Sequence, residues 1–135
     1  MLGELLIEET GKTTGIRVLS CEPGDITVEV SVQTEGRLLG VAENTLWTYW
    51  SKTRSDGSMY GEGKGMMTTT DGDVIGLLGS GTAKAPGPDG IVHYRGAIYF
   101  RTAAARYSRL NGTVGVHEYE AHASGSLTTK TWEWK

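Results

Sequence analysis

Three short segments hold the residues that could do chemistry. Segment 117–122 reads His-Glu-Tyr-Glu-Ala-His. In extended backbone, side chains alternate between two faces, so Glu118, Glu120 and His122 share one face, and His117 and Tyr119 the other. Two carboxylates and an imidazole could hold a divalent metal, but metal ligands normally converge from several elements. A single row along one strand reads as a solvated outer face, and no metal site is expected. An inward His117 beside Tyr119 could polarise a bound carbonyl, or be a hydrogen-bonded structural histidine. Segment 41–52 carries Leu46-Trp47-Thr48-Tyr49-Trp50. Trp47 and Tyr49 fall on the face of Glu43, and Trp50 on the face of Leu46 and Asn44. Such rings either fill a barrel floor or form a stacking wall for a flat or apolar ligand, with Glu43 as its polar contact.

The third segment, 58–67, reads Ser-Met-Tyr-Gly-Glu-Gly-Lys-Gly-Met-Met. It is not a phosphate loop, because Gly65 rather than Ser or Thr follows Lys64 and no helix follows. Gly61, Gly63 and Gly65 share a face, and Gly79 and Gly81 extend the row on the next segment. With Glu62 and Lys64 turned to water, the glycines face inward. They leave space that rings from facing strands fill or that stays open, and they permit the sharp bends of a small barrel. A leucine at Gly63 is expected to fill that space with the fold intact.

No nucleophile constellation is visible. The chain has no Gly-x-Ser-x-Gly, and Cys21, its one cysteine, stands beside a turn where ordinary packing is expected. A lone thiol allows no internal disulfide and favours a reducing compartment. The net charge of −3 gives no basic face for nucleic acid. The first residues, MLGELLIEETGK, lack the basic start of a signal peptide, and no apolar run approaches the ~20 residues of a membrane helix. The expected setting is cytoplasmic, without cofactor, nucleic-acid or membrane partner.

The elements that must position these residues are strands. Turn signals recur at Glu22–Asp25, Thr34–Gly36, Ser55–Gly57, Asp71–Asp73, Pro86–Gly90, Leu110–Gly112 and Ser124–Ser126. Between them lie segments rich in Val, Ile, Thr, Tyr and Trp, the pattern of an all-β sandwich or barrel. In 26–33, Ile26, Val28, Val30 and Val32 alternate with polar residues. In 92–101, Val92, Tyr94, Gly96, Ile98 and Phe100 alternate with His93, Arg95 and Arg101. Further strands are expected near 3–9, 14–20, 38–52, 58–70, 74–78, 112–122 and 127–134. Residues 102–110 form at most one helical turn. The 135 residues make a single domain, 1–135, with eight or nine antiparallel strands, and closing them into a barrel removes exposed edges.

The stretch Thr102 to Gly115, through Arg106-Tyr107-Ser108-Arg109-Leu110-Asn111-Gly112-Thr113-Val114, resembles the allene-oxide-cyclase-like, calycin-type small barrels. So does the glycine-rich pair 61–65 with 79–81. That group of eight-stranded antiparallel barrels includes the dirigent proteins and uncharacterised bacterial families, to which this chain is most similar. The resemblance implies a barrel with its site in the lumen.

Two functions follow as expectations. One is a barrel holding a small apolar or aromatic molecule, with Glu43, Trp47, Tyr49, Gly63, Tyr94, His117 and Tyr119 around it. The other is a cyclase or isomerase that folds a flexible apolar substrate in the same lumen, for which Glu43 facing His117 would be the polar pair. A filled barrel with a structural or interaction role is the third possibility. Val74-Ile75-Gly76-Leu77-Leu78, apolar on both faces, predicts a homodimer.

Overall fold

A computed structural model describes all residues, 1–135. Eight strands run in chain order: β1 (Leu2–Glu22), β2 (Asp25–Leu38), β3 (Val41–Thr53), β4 (Met59–Thr69), β5 (Val74–Ala83), β6 (Val92–Arg101), β7 (Val114–Ala121) and β8 (Ser126–Trp134). Each pairs antiparallel with the next, and β8 returns to β1, closing an up-and-down barrel. No helix is long and apolar enough to cross a membrane.

The alternation in the sequence sets the faces. Val30, Val32, Tyr94, Ile98 and Phe100 are buried. Asp-Gly and Asn-Gly turns supply the left-handed residues that tight reversals need, at Gly57, Gly72 and Gly112. Three details differ from expectation. Segments 3–9 and 14–20 are one strand, because β2 pairs with β1 without a break, apart from irregularities near Thr14 and Leu19. Gly36 lies within β2 instead of in a turn. A Cβ there would sit 1.9 Å from the Glu8 carbonyl oxygen, so the residue serves close strand approach. The reversal falls instead at Leu39–Gly40, both with positive φ (49° and 82°). Leucine seldom adopts that conformation, and here its side chain packs on the core.

One end of the barrel is plugged. A 3-10 helix, Ala105–Leu110, buries Tyr107 and Leu110 against Leu6, Ile7, Leu38, Met67, Ile75, Leu77 and Phe100. The segment expected as a bare turn is therefore a packed lid. At the other end the β1–β2 hairpin projects past β8, which stops pairing with β1 at Lys12, while β3 stays paired with β2 as far as Ile26. Cys21, near the hairpin tip, is exposed for that reason and is not packed as expected. On β5, Ile75 and Leu77 point inward, while Val74 and Leu78 are 51% and 52% exposed on the outer face.

Candidate functional site

Between the plug and the open end lies a cavity of about 80 Å³. At ~30 Å³ per water this is room for about three waters, roughly half of the ~150 Å³ apolar cavity that holds benzene, and the space continues toward the open end. Trp47, Tyr49, Tyr94, His117 and Tyr119 line it, with the backbones of Gly61, Gly63, Gly79 and Gly81 as one wall. Of the residues expected around the lumen, all but Glu43 border this space.

Trp47 and Tyr49 stand opposite Gly65 and Gly63 in the β3–β4 ladder. The Trp47 ring lies over Gly65 and Gly79, 2.7 and 3.2 Å from where their Cβ atoms would be. Ring packing thus takes up part of the glycine row. At Gly63 the clash is with atoms that cannot rotate away: a Cβ would sit 2.4 Å from Tyr49 Cβ, 2.6 Å from the Thr48 carbonyl oxygen and 2.8 Å from Tyr49 Cα. Leucine at Gly63 would therefore push β3 and β4 apart, contrary to the expectation that it fills the lumen with the fold intact. Gly81 is the position with room, its nearest contacts lying at 3.5–3.6 Å.

Three tyrosines form a ring cluster toward the open end. Tyr49, Tyr94 and Tyr119 meet edge to face, with centroids 5.6–6.5 Å apart. The hydroxyls of Tyr49 and Tyr119 are 3.0 Å apart, and Tyr94 shares a 2.7 Å hydrogen bond with Ser51. Burial pushes all three phenols up, Tyr119 to about 12, so they stay neutral hydrogen-bonding groups.

His117 reaches across Gly96, its register partner on β6, toward β5. Its Nε2 lies 2.9 Å from the Ser80 carbonyl oxygen. A carbonyl only accepts, so Nε2 carries the proton and Nδ1 keeps a lone pair. Burial lowers the imidazole's pKa, with the Ser80 hydrogen bond working against it and the Arg95 charge adding to it, so the ring is neutral.

The opposite wall holds groups that the sequence reading missed. Glu9, 4% exposed, accepts hydrogen bonds from Thr34 (3.0 Å) and Thr129 (3.3 Å) and borders the cavity. Thr131 also borders it, with its hydroxyl buried and unpartnered. Glu43 is buried behind them and accepts from Thr45 at 2.8 Å. Glu9 and Glu43 both pair with Gly36, from opposite sides, and its missing side chain lets the two carboxyls meet. The Glu43 pKa rises to about 9, first through burial, then through its hydrogen bond with Glu9 and the Glu9 charge. No donor reaches Glu43 Oε2, so the carboxyl is satisfied by holding its own proton. Glu43 is therefore an inner support for Glu9, which takes the lumen position expected of Glu43. Nor does Glu43 pair with His117, each being bonded elsewhere. A signal for this wall was present. Ile7, Glu9 and Gly11 alternate on β1, as do Leu127, Thr129 and Thr131 on β8.

The outer row of β7 is engaged with β6: Glu118 faces Arg95 at 3.8 Å and Glu120 faces His93 at 3.5 Å. His122 lies in the following turn.

Fold and site together define a closed eight-stranded antiparallel barrel with a small internal cavity that has aromatic rings along part of its wall. The sequence matches no protein-family profile and no curated protein significantly. Solved structures do share the architecture. A protein of unknown function from Clostridium acetobutylicum has a TM-score of 0.85 at 13% identity, over 98% of both chains. A β-barrel-like protein from Acinetobacter baumannii has a TM-score of 0.82 at 17% identity, over 100% of this chain and 96% of that one. An enzyme from Penicillium herquei has a TM-score of 0.68 at 14% identity, over 98% and 96%. At these identities the likeness is one of fold.

Proposed function

We propose that this barrel binds a small aromatic or apolar molecule in its lumen. The observation that carries the proposal is the cavity itself. A structural barrel gains stability by filling its interior to native density, whereas this one keeps a space walled by Trp47 and three tyrosines, with polar groups at one side. Apolar walls with a few placed polar groups are the usual make-up of a ligand site. Native mass spectrometry of the chain purified from its own host is expected to show one small molecule bound per chain. Bare protein under conditions that preserve weak complexes would count against the proposal.

A cyclase or isomerase is the second reading, favoured by one feature. The lumen region holds a neutral carboxylic acid, Glu43 hydrogen-bonded to Glu9, and on another wall an imidazole with a free Nδ1. With Glu9 at the lumen able to relay the proton that Glu43 holds behind it, and the Nδ1 acceptor on another wall, the arrangement suits proton relocation on a folded substrate. The resemblance to allene-oxide-cyclase-like barrels and the fungal enzyme neighbour point the same way.

A homodimer is part of the proposal. Leu46 and Met66 are paired on the outer wall, as are Leu78 and Tyr99, and all four are about half exposed. A second copy would cover this face. Light scattering is expected to give twice the chain mass, and the monomer mass at high concentration would remove this claim.

A further inference from the structure

We infer, resting on the lumen reading above, that the lumen selects a small organic cation, a single-ring primary amine, with its ammonium group at Glu9 and its ring against Trp47 and the tyrosines. The charge balance of the interior is the first ground. No lysine or arginine is among the buried residues, whereas Glu9 and Glu43 are. Glu9 is held by two threonine hydroxyls and the neutral Glu43 carboxyl, and has no positively charged partner. A buried carboxylate without a counter-charge is costly, and a ligand that brings the missing positive charge recovers that cost.

The second ground is the set of unpartnered groups. Thr131 is 1% exposed, borders the cavity, and its hydroxyl has no hydrogen-bond partner. His117 Nδ1 is an acceptor, because Nε2 holds the proton. Glu9 therefore offers an acceptor and Thr131, on the adjoining β8, a hydroxyl that can accept, which suits the N–H donors of an ammonium, while His117 Nδ1 is a further acceptor on another wall. A carboxylate ligand would meet Glu9 and no cation. The third ground is the ring wall. Trp and Tyr faces attract cations, most strongly where water is excluded. At about 80 Å³ the cavity is smaller than the ~150 Å³ that holds benzene, so it limits the molecule to a single ring that reaches into the open end of the barrel.

Three isosteric probes test the assignment by isothermal titration calorimetry at pH 7: benzylamine, benzyl alcohol and benzoate. Benzylamine is expected to bind at least tenfold more tightly than benzyl alcohol, and benzoate not to bind. Glu9→Gln should erase the difference between amine and alcohol. Gly81→Val, whose methyls enter the cavity from a position with room for a Cβ, should abolish benzylamine binding while the protein still unfolds cooperatively. If benzyl alcohol binds as well as benzylamine and Gly81→Val stops both, the lumen reading stands and the cation assignment is wrong. If benzylamine binds Gly81→Val unchanged, the amine is on surface carboxylates and the assignment fails. If none of the probes binds the unaltered protein, the lumen reading itself falls. Should Glu9→Gln not fold, the order of the three probes on the unaltered protein and the Gly81→Val result decide alone.

Discussion

Gly96→Ala is expected to cost the barrel several kcal/mol, enough to remove much of the ~5–15 kcal/mol by which a domain of this kind is stable. A Cβ at Gly96 would lie 1.8 Å from the Ser80 carbonyl oxygen and 2.7 Å from Gly81 Cα. Both are backbone atoms of β5, so no side-chain rotation relieves the clash and the β5–β6 ladder must open. The same carbonyl accepts the His117 hydrogen bond, so the imidazole loses its anchor as the ladder shifts. Gly76→Ala is the matched control on β5. Its Cβ would have nothing nearer than the Arg101 carbonyl oxygen at 3.5 Å, and its effect should stay within about 1 kcal/mol. Urea unfolding of the two variants makes the comparison. Equal midpoints would show that strand approach at Gly96 is not what the residue provides.

The second large effect is one of pH. The folded chain keeps a proton on Glu43 up to about pH 9, whereas the unfolded chain releases it near the ordinary value of 4.5. Between those values the folded state binds more protons, so stability falls as pH rises. The contribution is fully present below pH 4.5, declines through neutrality, and is gone above about pH 9. His117 acts oppositely: burial lowers its pKa, so it withdraws stability as pH falls through the ordinary histidine range. Glu43→Gln isolates the carboxyl. The amide keeps an acceptor for Thr45 and a donor for Glu9, and has no proton to lose. The variant should match the unaltered protein near pH 4.5 and exceed it increasingly toward pH 9, by an amount on the order of a few kcal/mol. Thermal unfolding from pH 4.5 to 9.5 reads this directly. A difference that is constant across the range would mean that Glu43 does not titrate as its burial requires.

Much of the barrel was legible because its signals are local. A strict two-residue alternation in 26–33 and 92–101 sets which side chains face the lumen, and a reversal at Asp-Gly or Asn-Gly needs little from tertiary context. The same logic placed Trp47, Tyr49, Tyr94, His117 and Tyr119 on inward faces, which is where they stand. The continuity of β1 was harder to see. Gly11-Lys12-Thr13-Thr14-Gly15 carries the composition of a turn, and only its partner β2 shows that the strand continues. Leu39–Gly40 was hidden because a leucine in the left-handed region has no sequence signature.

The polar wall was easily overlooked despite its alternation, for a physical reason. A glutamate in a strand reads as solvent-facing, because burying its charge is costly. Glu9 is inside because a second carboxyl carries a proton beside it and two threonine hydroxyls bond to it. Those groups come from β2, β3 and β8, up to 120 residues away along the chain. The role of Gly36 is equally non-local. It admits the meeting of two side chains that belong to its neighbours on either side, and its own sequence context suggests only a turn.

The central claim is that the lumen is an open, mostly apolar receptacle and not a packed or water-filled interior. Xenon enters apolar cavities and is located unambiguously by its anomalous scattering, so a crystal of the chain pressurised with xenon tests this most directly. Occupancy of the lumen beside Trp47, Leu77 and Ile98 is the result the account predicts. A lumen closed by side chains or held by ordered water, with xenon only on the outer wall near Leu78 and Tyr99, would contradict it.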